Sequence, residues 1–135
     1  MVDQIISILS IIISVSIVIF LMMYVFAGFA RYRLSGNNLQ IKGIYSKKIP
    51  ISSINNEGLR IIERKEDLHS QLVTRINGIS LLGYYEGWFK LKNGEKSLLL
   101  IKSGSNKLVY IPTTNNYSVI LSSETPETLL DSIKQ

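Results

Sequence analysis

Cysteine is absent from the 135 residues, which excludes disulfides, thiol nucleophiles and thiolate metal ligands. Histidine occurs once. His69 stands beside Glu66 and Asp67 in one polar run, and a metal needs further ligands brought in from elsewhere, so neither a metal site nor a cofactor is expected. Phosphate-cradling glycine loops, a dinucleotide fingerprint and a nucleophile elbow are also missing. The carboxylates Glu57, Glu63, Glu86 and Glu95 are scattered over different elements, without the pairing that acid and base chemistry needs. A non-catalytic protein is expected.

The most consequential absence is charge. Between Asp3 and Arg31 there is none. Ile5 to Phe29 is a run of Ile, Leu, Val, Phe and Met with scattered Ser, and at 1.5 Å per residue it exceeds the ~30 Å hydrocarbon layer. A helix is the one single segment that satisfies its own backbone there. The run is therefore expected to be a membrane-spanning helix over residues 5–29, behind a short tail of residues 1–4. A cleaved signal peptide fits less well. There is no basic segment before the run, the run is too long, and Ala27-Gly28-Phe29-Ala30 makes a weak cleavage site.

All 15 Lys and Arg follow the run, against 9 Asp and Glu once Asp3 is set aside. Arg31, Arg33, Lys42, Lys47 and Lys48 directly after the helix predict a single-pass protein of the cell membrane, N-terminus out and domain cytoplasmic. The basic residues are dispersed and the aromatics do not interleave with them, so a nucleic-acid partner is not expected. The bilayer is the first partner implied. Ser7, Ser10 and Ser14 recur at i, i+3 and i+7 and form a stripe along which a second copy could pack, giving a possible homodimer. Tyr24, Phe26, Phe29 and Tyr32 mark the expected depth of exit.

Beyond Ala30 the apolar period changes from helical to two. Arg31–Leu34 and Leu39–Ile44 read as strands joined through Ser35-Gly36-Asn37-Asn38, and Tyr45–Ile51 continues extended with Pro50 at a strand end. Leu59–Glu63 and Leu72–Ile76 are further short strands, separated by a charged loop over Arg64–Ser70. Asn93-Gly94 predicts a two-residue hairpin turn, which sets Phe89 opposite Leu98 and Trp88 opposite Leu99. A second hairpin through Ser103–Asn106 sets Leu100 opposite Val109. Phe89, Leu91, Leu98, Leu100, Val109 and Ile111 then share the core face. Trp88, Leu99, Ile101, Leu108 and Tyr110 fall on the other face, either under the terminal helix or as a docking surface for an unknown protein. Thr125-Pro126-Glu127 followed by Leu129, Leu130 and Ile133 predicts that helix over about 126–134.

Several of these residues carry a resemblance. Arg75-Ile76-Asn77-Gly78, the run Gly83 to Gly94 with Tyr84, Tyr85, Glu86, Gly87 and Trp88, then Tyr110-Ile111-Pro112 and Ser123 to Glu127 resemble the bacterial PH-domain family. Its members often carry the domain behind spanning helices. The resemblance implies a mainly-β PH-like barrel over residues 30–135, about seven antiparallel strands capped by a short C-terminal helix, and little about activity. Asn77, Gly78 and Gly83 are expected to supply turn conformations and Gly87 a bulge or close backbone approach, with Asn93 and Gly94 as the hairpin turn. Arg75 and Glu86 are expected to pair across the loop. Eukaryotic PH domains that bind phosphoinositides have a basic first loop, whereas Ser35-Gly36-Asn37-Asn38 is uncharged. Lipid contact is left to Arg31, Arg33, Lys47 and Lys48. The function expected is a membrane-anchored, non-catalytic interaction or scaffolding module with weak anionic-lipid contact. The alternatives are a phospholipid-headgroup sensor and a small structural subunit of a membrane complex.

Overall fold

The computed structural model describes residues 1–64, 72–81 and 83–134, with backbone alone at 26, 27, 72 and 73. It begins with helix α1, Val2–Phe29, three residues earlier than the apolar run. Its window Val2–Val25 has a mean hydropathy of 3.0 and is unburied, long and apolar enough to cross a membrane. The serine hydroxyls are already used. Ser7 donates to the Asp3 carbonyl, Ser10 to Ile6, Ser14 to Ser10 and Ser16 to Ile12, the back-bonding that makes serine tolerable in hydrocarbon.

The helix ends abruptly. Ala30 turns to extended backbone with φ −68° and ψ 128°, its side chain is wholly buried in the domain core, and strand β1, Arg31–Ser35, starts at the next residue. One buried alanine thus joins α1 and the β-rich head, with no linker. Tyr32 consequently belongs to the head: its hydroxyl meets that of Ser123 at 2.7 Å and its ring packs on the core.

β1 pairs with β2, Asn38–Lys42, and β2 with β3, Lys47–Pro50, in a three-stranded antiparallel sheet. The first turn has Gly36 at φ 59°, so the expected hairpin is present. β4, Arg60–Glu63, joins a second sheet with β5, Leu72–Leu81; β6, Tyr84–Leu91; β7, Lys96–Ile101; β8, Lys107–Pro112; and β9, Tyr117–Ser122. Its order is β4-β8-β9-β7-β6-β5. Helix α2, Pro126–Lys134, closes the chain as expected.

The fold is the mainly-β PH-like architecture with a terminal helix, but nine strands among the described residues stand where about seven were expected. They form two sheets, and the barrel is not closed. The predicted β7–β8 hairpin does not form either. β9 inserts between those strands, parallel to β7 and antiparallel to β8. Five of its six residues are buried, so it gains most from a central position with both faces covered. Leu100 and Val109 are therefore not neighbours; each faces Leu121, as Leu98 and Ile111 each face Val119.

The hairpin β6–β7 differs from expectation by one residue. Trp88 pairs with Leu98 and Gly87 with Leu99, because the loop has three residues and not two. The Leu91 N–H donates to the Glu95 carbonyl and Gly94 takes φ 87°, while Asn93 does not enter positive φ. A type I turn followed by a left-handed glycine is the usual three-residue solution. A one-residue slip exchanges the faces of a strand, so Phe89 and Leu91 leave the side that holds Leu98 and Leu100. The main core lies between the small sheet (Leu39, Ile41, Ile49), the large sheet (Leu98, Leu100, Val119, Leu121) and α2 (Leu129, Ile133). A second apolar cluster, with Phe89, Leu91, Leu99, Ile101, Leu108, Tyr110 and Ile120, occupies the other face of the large sheet.

Candidate functional site

Of the family-motif residues, Asn77, Gly78, Glu86 and Gly87 meet where β5 and β6 pair. β5 continues through Asn77 and Gly78, with a register irregularity between Arg75 and Asn77, so the turn expected there does not exist; the turn comes at Gly83, with φ 82°. Gly78 and Gly87 pair across the strands. A Cβ on Gly87 would stand 2.6 Å from the Asn77 carbonyl oxygen and 2.6 Å from the Gly78 Cα, and Gly87 has φ 117°. The expected close approach is present, with the Tyr45 ring against it.

Glu86 is the buried acid of this region, 2% exposed. Its Oε1 accepts from the Tyr84 hydroxyl at 2.6 Å and its Oε2 from the Tyr45 backbone N–H at 3.1 Å. The Tyr45 hydroxyl donates to Asn77 Oδ1 at 3.2 Å. Glu86 thereby fastens the β2–β3 loop to β6. Burial, then the hydrogen bond and charge of Glu86, push the Tyr84 phenol well above its ordinary range. The expected Arg75–Glu86 pair is corrected: Arg75 lies opposite Phe89 and is exposed, while Glu86 lies opposite Ile79. Continuing β5 past Gly78 places them on different rungs. Among the described residues the one ion pair is Lys107–Glu127, at 3.6 Å.

The docking set Trp88, Leu99, Ile101, Leu108 and Tyr110 is not brought together as a surface. Leu99, Ile101 and Leu108 are fully buried and Tyr110 is 9% exposed, so those four are interior. The Tyr110 hydroxyl donates to Glu95 at 2.8 Å and its ring lies 4.4 Å under the Arg60 guanidinium. Burial first, and Glu95 second, raise the Tyr110 pKa. Trp88 has gone to the other face, where it packs on the main core and meets Tyr117 edge-on at 5.5 Å. The ammonium groups of Lys96 and Lys47 stand 4.5 and 5.7 Å from its ring centre.

The lipid-contact set divides as well. Arg31, Arg33 and Lys48 alternate with the core-facing Tyr32, Leu34 and Ile49 and so line the outer face of the small sheet, where Lys42 joins them opposite Arg31. That sheet's strands contain no acid. Lys47 is on the opposite side, over Trp88 and Tyr117.

Arg64 was not singled out from the sequence. Its guanidinium donates to the carbonyls of Lys102 at 2.7 Å and Ser105 at 3.2 Å, and also to that of Gly83, holding the β7–β8 connection against the β5–β6 turn. Its partners are 19 to 41 residues away, so no local pattern signals it. The rim held in this way borders a cavity of about 340 Å³ between the head and the last turns of α1, and a second cavity of about 360 Å³ adjoins it at Lys102. His69, Glu66 and Asp67 lie outside the described residues; among those described, no group of three His, Asp or Glu is placed to hold a metal. Residues 30–135 match a family model described as a bacterial PH domain. No curated protein and no solved structure matches the chain.

Proposed function

The chain belongs to the bacterial PH-domain family, and from that premise we propose that it is a membrane-anchored, non-catalytic interaction module whose head is displayed at a fixed height and angle on the cytoplasmic face. The observation that carries this reading is the junction. The apolar α1 window is unburied, and one core-buried alanine connects the helix to β1. A head needing reach or free rotation would have a flexible tether, whereas this one is oriented by its anchor. The cations after α1 favour the cytoplasmic side.

The protein-facing surface is the β5 edge of the large sheet. β5 is one of that sheet's two outermost strands, the other being β4, and has Thr74, Arg75, Ile76 and Asn77 exposed, Ile76 51% accessible. An edge strand offers unpaired backbone groups to a partner strand, and an exposed isoleucine adds an apolar anchor. A photo-crosslinking residue at Ile76 of the full chain in native membranes should capture a discrete partner, while the same residue at Lys42 should not. Equal capture at both positions, or none at Ile76, removes the β5 edge from the proposal.

A second reading, contact with anionic lipid, is favoured by the acid-free outer face carrying Arg31, Arg33, Lys42 and Lys48. Each cation near an anionic leaflet contributes about 1 kcal/mol, which suits weak apposition of an already anchored head. A small structural subunit paired through Ser7, Ser10 and Ser14 would work through packing of small residues, since those hydroxyls bond within their own helix.

A further inference from the structure

We propose that the junction of α1 with the head is a binding site for one anionic phospholipid, with an acyl chain in the cavity beside α1 and the phosphate between Lys102 and Arg31. Two adjoining cavities, the second with the larger polar share, have Lys102 in common. The first is walled by Phe20, Met23 and Tyr24 of α1 and by Ile79, Leu81 and Tyr84 of the β5–β6 end. At Gly28, which also borders it, a side chain would meet nothing within 4 Å. The second is the more polar of the two. Arg31, at the first position of β1, and Lys102 border it together with the hydroxyl residues Ser122, Ser123 and Thr125, and Glu124 is its one acid among the described residues.

The occupant follows from the walls. Phe20, Met23 and Tyr24 lie within the apolar stretch of α1, so the first cavity faces the depth where acyl chains are found. Lys102 links that depth to the more polar pocket, as a long side chain does when its stem stays in apolar surroundings and its head reaches the interface. Neither Lys102 nor Arg31 takes part in an ion pair among the described residues. Two cations against one carboxylate leave a net positive pocket suited to a phosphodiester. Arg64, by binding the Lys102 and Gly83 carbonyls, holds the rim in place before any lipid arrives. A soluble phosphate would leave the apolar cavity unused. This face is also separate from the β1–β2 turn, which carries no charge.

The inference rests on α1 crossing the bilayer, which is checked separately by resistance to carbonate extraction. The test uses the full chain in mild detergent, with retained lipid measured by native mass spectrometry. The probes are 1-palmitoyl-2-oleoyl phosphatidylglycerol, the phosphatidylcholine with the same chains, and glycerol 3-phosphate. One phosphatidylglycerol per chain should be retained at least about fivefold better than phosphatidylcholine, the preference one near-surface cation supports. Lys102→Gln should abolish that preference, Lys102→Arg should keep it, and Gly28→Leu should lower retention of both lipids. Unchanged Trp88 emission certifies the fold of each variant. Equal retention of the two lipids, a preference that survives Lys102→Gln, or displacement by glycerol 3-phosphate overturns the site while leaving the anchor standing. Release of the chain by carbonate overturns both.

Discussion

Gly78 and Gly87 face each other across β5 and β6 so closely that neither can carry a side chain: a Cβ on Gly78 would stand 2.8 Å from the Glu86 carbonyl oxygen, and one on Gly87 2.6 Å from the Gly78 Cα. The tight crossing lets the Tyr45 ring lie over the strands, and Tyr45 in turn presents its N–H to Glu86. Backbone geometry at the family-motif glycines thus positions the buried acid.

Gly87→Ala should therefore cost at least about 2 kcal/mol, combining an unfavourable positive φ with a backbone clash. Gly94→Ala should cost less, about 1–2 kcal/mol, because φ is positive there but the space is open. Urea unfolding followed by the emission of Trp88, the only tryptophan, measures both. Equal costs would mean that the crossing is not the tight point it is taken to be.

Leu99→Ala should destabilise the head by about 2–5 kcal/mol, the range for a large side chain removed from a close-packed interior. Thr74→Ala, on the exposed edge, should change stability by less than about 0.5 kcal/mol. A near-neutral Leu99→Ala would return that residue to the surface.

Alkaline pH should unfold the head early. The pKa values of the Tyr84, Tyr110 and Tyr117 phenols are all raised above the ordinary tyrosine value of about 10, burial being the first cause in each. Above that value the unfolded chain loses these protons while the folded chain keeps them, so unfolding releases protons and stability falls as pH rises. Their contribution is intact below about pH 10 and declines above it. Thermal melts between pH 8 and 11 should show that decline, and Tyr84→Phe should make it shallower. An identical slope in Tyr84→Phe would deny Tyr84 its part.

Much of this arrangement was legible in the chain because its signals are local. The uncharged run announces α1, Gly36 marks the first hairpin, and Pro126 with the Leu129 and Ile133 spacing marks α2. Illegible were the features decided at a distance or by a single residue. Nothing beside Ser103–Asn106 says that β9 will come between β7 and β8, since the decision belongs to the burial of Val119, Ile120 and Leu121 on both faces. Asn93-Gly94 suits a two-residue loop, and only Glu95 pairing with Leu91 makes it three. That single step moved Trp88 out of one apolar cluster and into the other. Asn77-Gly78 misled in the same way: the pair favours turns, but here the missing side chain of Gly78 serves the approach to Gly87.

The absence of cysteine makes the orientation of the anchor directly measurable, because any thiol introduced is the only one. Val2→Cys, at the start of α1, and Asn93→Cys, on the exposed β6–β7 loop, report the two sides of the membrane. With the basic residues after α1 held inside, a membrane-impermeant maleimide applied to intact cells should label Val2→Cys and leave Asn93→Cys unmodified until the cells are opened. Changing Arg31, Arg33, Lys42 and Lys48 together to Gln removes the cations of the small sheet's outer face, and a mixture of the two labelling patterns should then appear. Labelling of Asn93→Cys in intact cells with all four cations in place would put the head outside. That result would remove the anionic inner leaflet from the reading of the outer face while leaving the fold and the junction at Ala30 untouched.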